Sequence, residues 1–167
     1  MKSKRVDSYN NNLMSLKSLK HLPESFSTPK NSKLVERLHE FKNELNERQL
    51  SEESVKTLNE IIDELNKDYE TEKAYAKQVK KKTYSMAQTV LSNDKLVVKN
   101  HHRNQKMIFG MTIFGMPLGM IFGFALDNLA FLGIGLPIGM AIGMAIGADL
   151  DNKAKKEGRV LNFSYEM

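Results

Sequence analysis

Two adjacent histidines, three consecutive lysines and a cluster of glycines are the features whose type and spacing could carry function. The histidines, His101 and His102, offer imidazole nitrogens for metal binding or proton transfer. Neighbours on a helix point about 100° apart, so a metal site there would need other ligands, and no H-E-x-x-H or comparable spacing supplies them. The lysines Lys80, Lys81 and Lys82 fit either a solvated helix face or contact with anionic lipid or an acidic partner. No groove-reading motif or aromatic stacking platform accompanies them, so a nucleic-acid partner is not expected. The glycines are not a phosphate loop, because they lack the preceding strand and the G-K-[S/T] ending. G-x-S-x-G is missing too. No catalytic, cofactor-binding or metal-binding residue is assigned, no cofactor is expected, and the chain is not expected to be an enzyme.

What those glycines must do follows from where they lie. Nine of the ten fall between Gly110 and Gly147, in a region whose single charged residue is Asp127. The other charges crowd into residues 1–106, with a net of +6, and residues 149–167, which are balanced. The mean hydropathy of −0.44 therefore averages two unlike parts. The absence of cysteine excludes a disulfide framework and thiolate metal sites. No apolar run follows the basic N-terminal residues, so a cleaved secretory signal is not expected.

Residues 107–126 and 130–148 are free of charge apart from the turn between them. Each matches a bilayer core of about 30 Å when helical. A buried soluble helical pair is the competing reading. In water, nine glycines in helix interiors would cost on the order of 8 kcal/mol relative to alanine, comparable to a domain's whole stability. In lipid the helix is nearly obligatory, because each backbone amide must be satisfied within its own segment.

Gly115, Gly119 and Gly123 recur every fourth residue, as do Gly135, Gly139, Gly143 and Gly147. That spacing puts each set on one helix face and lets two backbones approach closely. Met111, Phe114, Met120, Phe122 and Phe124, with Leu136, Met140, Ile142, Met144 and Ile146, are expected to face outward. Pro117 and Pro137 occupy matching places in the two repeats and are expected to kink their helices. The match suggests a duplicated unit or convergence of two short stretches.

The repeated G-x-x-x-G-x-x-x-G pattern resembles that of bacterial glycine-zipper membrane proteins, which include two-helix hairpins with a polar N-terminal extension and a lysine-rich end. The resemblance covers residues 107–156. It implies the seven glycines as helix-packing positions, a bacterial inner membrane as the location, and nothing catalytic. The two prolines depart from an uninterrupted zipper.

The link Asp127–Ala130 is short, so the two segments are expected to be antiparallel neighbours. Lys95, Lys99, Arg103 and Lys106 precede the first, and Lys153, Lys155, Lys156 and Arg159 follow the second. The positive-inside rule then places both ends in the cytoplasm. Of these residues Lys99, Arg103, Lys106, Lys153, Lys155 and Lys156 are the expected headgroup contacts. Asp127 reads as an exposed capping residue or, alternatively, a pore-mouth carboxylate.

The polar half divides into a flexible N-terminal tail at 1–30, a helical region at 31–92 and a basic juxtamembrane segment at 93–106. Residues 107–148 form the hairpin, and 149–167 a cytoplasmic tail. Within the first tail, Leu13, Leu16 and Leu19 allow a short surface helix. Leu34, Leu38, Phe41 and Leu45, then Val55, Leu58, Ile62, Leu65 and Tyr69, step by three and four. That is a coiled-coil seam, with Ser51 as an N-cap and the second helix expected to continue towards Leu91. Such a narrow seam favours self-association. "KLVVK" at 95–99 and "RVLNFSY" at 159–165 are strand-like and would form either a small ribbon or loose ends.

The expected fold is all-α: a cytoplasmic helical hairpin or coiled-coil stem followed by a two-span antiparallel transmembrane hairpin. The expected role is that of an oligomerising integral membrane protein. Its hairpin packs helices in the bilayer, and its cytoplasmic helices self-associate or recruit a protein partner. The alternative is a pore-forming or membrane-permeabilising effector.

Overall fold

A computed structural model describes residues 15–20, 26 and 28–164. The chain is mostly helical and divides into two compact units, one formed by residues up to Leu96 together with those from Leu161 onward, the other by Val97–Val160.

In the first unit three helices follow one another: α1 (Pro29–Asn46), α2 (Glu52–Leu65) and α3 (Glu72–Asp94), with α3 packed against both others. Each start carries a hydroxyl cap. Thr28 accepts from the Asn31 amide, Ser51 from Ser54 and Thr71 from Ala74, each relieving an unpaired first-turn donor. Leu34, Leu38, Phe41 and Leu45 on α1, and Val55, Leu58, Ile62 and Leu65 on α2, are all buried against Val79, Thr83, Met86 and Val90 as the core of a single chain. The seam is thus used up within the unit, where a coiled coil would leave it exposed for a partner. Full burial of such side chains contributes about 1.5–3 kcal/mol each.

The second helix does not run on to Leu91. It stops at Leu65, and a new one begins at Glu72. Thr71–Glu72 repeats the start signal of Ser51–Glu52, a hydroxyl cap followed by a carboxylate at the positive helix end. Tyr69 therefore lies outside both helices. Its hydroxyl donates to the Glu64 carbonyl, and its ring meets Tyr75 edge to face at 5.4 Å.

The N-terminal segment is not helical over 15–20. It lies as an extended strap along the unit, held by side-chain amides. The amide of Leu16 donates to Asn46 Oδ1, that of Lys17 to Asn59 Oδ1, and that of Lys20 to Asn66 Oδ1. Asn59 and Asn66 donate back to the carbonyls of Ser15 and Ser18, and Lys17 pairs with Asp63 at 2.6 Å. Leu13 lies outside the described residues. The returning chain is fixed in a similar way: Phe163 stacks on Phe41 at 4.3 Å, and the Asn162 amide donates to Glu44.

The second unit holds two long helices. The first runs from His101 to Ala125 as α4 (His101–Gly110), a π-helical turn (Met111–Gly115) and α5 (Met116–Ala125); the second is α6 (Leu132–Lys156). The strand-like pieces pair as a two-stranded ribbon of β1 (Val97–Val98) and β2 (Val160–Leu161). The Val97 amide donates to the Arg159 carbonyl at 3.0 Å.

Leu58→Ala should destabilise the full-length chain by about 2–5 kcal/mol, whereas Lys56→Ala, two residues away on the exposed face, should shift it by less than about 0.5 kcal/mol. The measurement is chemical denaturation followed by circular dichroism. Because the core closes within one chain, the midpoint should not move when protein concentration is raised a hundredfold.

Candidate functional site

The two long helices meet through backbone. A methyl group added at Gly110 would lie 2.7 Å from the Gly143 Cα. One at Gly139 would lie 2.6 Å from the Gly115 Cα, and one at Gly135 the same distance from the Gly119 Cα. At Gly143 and Gly147 the obstructing atoms are the backbone of Lys106 and Arg103, each at 2.8 Å. Contact runs antiparallel over this length, with no side chain between the helices. An approach that leaves no room for a methyl group is what lets backbone atoms gather many weak dispersion contacts across a crossing.

Six of the expected packing glycines, Gly115, Gly119, Gly135, Gly139, Gly143 and Gly147, are buried along this line. Gly123 is buried at the turn, where its carbonyl accepts from the Asn128 amide. Gly110 was not in the expected set, because it stands five residues before Gly115. Five residues in an α-helix overshoot a full turn by about 140° and would carry Gly110 off the face. The π turn at Met111–Gly115 absorbs one residue and returns both glycines to the contact. Pro117 supplies the cause. It has no amide hydrogen, its ring crowds the carbonyl four residues back, and widening of the turn ahead of it relieves that clash. Pro137 sits inside α6, which continues through it. The two prolines thus occupy unlike settings despite their matching sequence positions. Gly133 meets nothing within 4 Å and takes no part.

The four-residue ladder of α6 ends in a carboxylate. Asp151 follows Gly147 by one step, and its two oxygens accept from the amides of His102 and Arg103, both at 3.0 Å. It thus caps the first turn of α4, whose own N-cap residue, Asn100, supplies no side-chain cap. Placing a negative charge on the positive helix end adds to the hydrogen bonds. The signal was the spacing itself: 139, 143, 147, 151. The rings of His101 and His102 pack edge to face at 5.2 Å. Among the described residues, no three His, Cys, Asp or Glu side chains converge as a metal site would require.

Antiparallel packing brings Lys99, Arg103 and Lys106 to the same end of the pair as Lys153, Lys155 and Lys156, the last three in the final turn of α6. At the opposite end Asp127 adopts a left-handed φ of 45° and closes α5. The amides of Asp127 and Asn128 return to the carbonyls of Phe124 and Gly123. Asp127 is exposed there. Gly158 does the same for α6 with φ 69°, which accounts for the one glycine outside the apolar region.

Outward-facing residues are large and apolar. Ile113 is 59% exposed, Ile121 61% and Phe124 77%. Phe114, Met120, Phe122, Ile142 and Ile146 are exposed as expected, while Met111, Leu136, Met140 and Met144 are half-buried. Beside the Gly110–Gly143 crossing, Phe109, Ile113, Phe114 and Ile146 line an apolar cleft of 370 Å³ with Lys106 at its edge.

These features define a helical chain carrying two helices long and apolar enough to cross a membrane. Comparison with protein-family models, with curated proteins and with solved structures finds no match to this chain.

Gly139→Ala should disrupt the helix pair, since its methyl group meets backbone that cannot swing aside. Gly133→Ala should be neutral or stabilising by up to about 1 kcal/mol through helix propensity. Thermal unfolding of the full chain in detergent compares the two. In the same assay Asp151→Ala should cost about 1–2 kcal/mol as a lost helix cap, with Asp151→Asn recovering part of it.

Proposed function

We propose that this chain is an integral membrane anchor protein of the bacterial glycine-zipper type. The helices His101–Ala125 and Gly133–Lys156 cross the bilayer as an antiparallel hairpin and hold the first helical unit at the cytoplasmic surface. The observation that carries this reading is the division of the helix pair into two kinds of surface. Glycines meet glycines inside, and large apolar side chains cover the outside. In water that outer surface would be a liability far beyond an ordinary exposed patch, whereas in lipid it is solvated. The inner contact needs no hydrophobic driving force, which lipid does not provide.

The basic residues gathered at one end support an orientation with both ends of the hairpin on the cytoplasmic side. Lys99, Arg103, Lys106, Lys153, Lys155 and Lys156 are then the headgroup contacts. The turn at Asp127 reaches the far side. The anchor reading is favoured over a pore. The spans offer one hydroxyl, Thr112, and it turns back to the Ile108 carbonyl. The glycine faces are occupied within one hairpin, so assembly of copies would have to use the outer apolar faces. The first unit closes its own core, and its remaining surface is where a cytoplasmic protein partner would bind.

The full-length protein should remain in the membrane pellet after alkaline carbonate washing. Protease should reach both termini only from the cytoplasmic side. Recovery in the soluble fraction without detergent would overturn the reading. Dye-loaded liposomes carrying the protein should stay sealed; release that Gly139→Leu abolishes would favour the pore instead.

A further inference from the structure

The first unit contains a cleft that neither its core nor the membrane reading uses. It lies between α1 and α3, has a volume of 200 Å³, and is lined by Lys30, Asn31, Lys33, Leu34, Arg37, Ala76 and Lys80. The sequence places these residues there by helical spacing. Positions 30, 33, 34 and 37 share one face of α1, and 76 and 80 share one face of α3. Of the lysine run at 80–82, the structure sends only Lys80 into the cleft. Lys82 pairs with Glu64, and Lys81 is exposed.

Four cationic side chains thus surround a floor made by the buried Leu34 and the half-buried Ala76. None of the four is ion-paired with a described carboxylate. Glu72, one turn before Ala76 on α3, is engaged elsewhere: its Oε1 accepts from the Thr28 hydroxyl and the Asn31 side-chain amide, both at 2.9 Å. Asn31 is itself 3% exposed, so the wall beneath the cations is fixed. Cationic residues gathered around one opening favour a ligand that carries more than one negative charge.

The geometry points to a binding site for a phosphomonoester. Such a group carries about −1.5 to −2 charges and three acceptor oxygens, against the single charge of a carboxylate. Arg37 can meet two of the oxygens with its planar fork, and the lysines act as point charges around it. The volume holds the phosphate and the first few carbons attached to it, and Leu34 and Ala76 give those carbons an apolar seat. A phosphatidate headgroup and a soluble sugar- or glycerol-type phosphate share this chemistry. The cleft lies wholly within the first unit, so the proposal stands or falls independently of where the second unit resides.

The test is calorimetric titration of the full-length protein in nonionic detergent with dioctanoyl phosphatidate and, separately, with glycerol 3-phosphate. Saturable binding of at least one probe, at one per chain, is expected. Arg37→Gln/Lys80→Gln should weaken it about tenfold or more, the scale of a lost charge-assisted bond. Lys56→Gln/Lys81→Gln removes the same charge from exposed positions and should weaken it less than about twofold, as screened surface charges do. Circular dichroism checks that both variants stay folded. If glycerol 3-phosphate binds as tightly as the lipid, the ligand is a soluble phosphomonoester; if only the lipid binds, the apolar floor is engaged and the source is the membrane. Equal weakening in both double variants would show general electrostatic attraction and overturn the proposal, as would no saturable binding of either probe.

Discussion

Backbone contact between two antiparallel helices is the constraint on which the second unit depends. Helix backbones can approach this closely only where no Cβ intervenes, so at each close contact at least one of the two facing residues must be glycine. That requirement propagates. It sets the four-residue period along α6. It demands a register correction where the first helix has five residues between glycines, and the π turn ahead of Pro117 supplies it. It carries the same ladder one step further to Asp151, which reaches the first turn of α4 because Gly147 has let that turn come close. The bulky residues are left the outer circumference, and the basic residues the end where α4 begins and α6 stops.

The first unit solves a different problem by ordinary means. Its helices bury leucine, isoleucine, valine, phenylalanine and methionine, and its buried hydroxyls are satisfied locally. Ser54 bonds to the Ser51 cap, and Thr83 donates to the Val79 carbonyl. Its less usual feature is the use of asparagine side chains, Asn46, Asn59 and Asn66, to hold an extended segment that has no strand to pair with. A side-chain amide offers a donor and an acceptor in the arrangement of a peptide group, so it can stand in for a neighbouring strand. Such bonds occupy the amides of Leu16, Lys17 and Lys20 and the carbonyls of Ser15 and Ser18 without a helix.

The composition of the two units also explains how one chain can hold surfaces suited to different solvents. Apart from Asp127 at the turn, charged residues are confined to the first unit and to the other end of the second, and the apolar length of the helix pair has none. Where cations do cluster in the first unit, around Leu34 and Ala76, they line a cleft between α1 and α3 and are not themselves part of the buried core.

Much of this was legible in the sequence, for definite reasons. Glycine at every fourth position has one strong physical reading, a bare helix face, and six of the seven glycines so spaced lie in the contact between the helices. Period-three-and-four leucines marked the core of the first unit, and a hydroxyl followed by a carboxylate at Ser51 marked a helix start. The same signal at Thr71 was overridden by the continuing apolar period, so one long helix was expected where there are two. What the pattern could not say was which surface would meet which. A seam reads alike whether its partner is another chain or another helix of the same one, and burial within the unit was decided by α3 folding back across both others. The role of Gly110 depended on a local change of helix type, and that of Asp151 on the close approach of a residue some 50 positions away in sequence. Sequence by itself determined which faces were bare, apolar or charged, because helical period alone fixes that. Only the tertiary structure decided their pairing, because pairing depends on register and on distance between segments that the linear order does not encode.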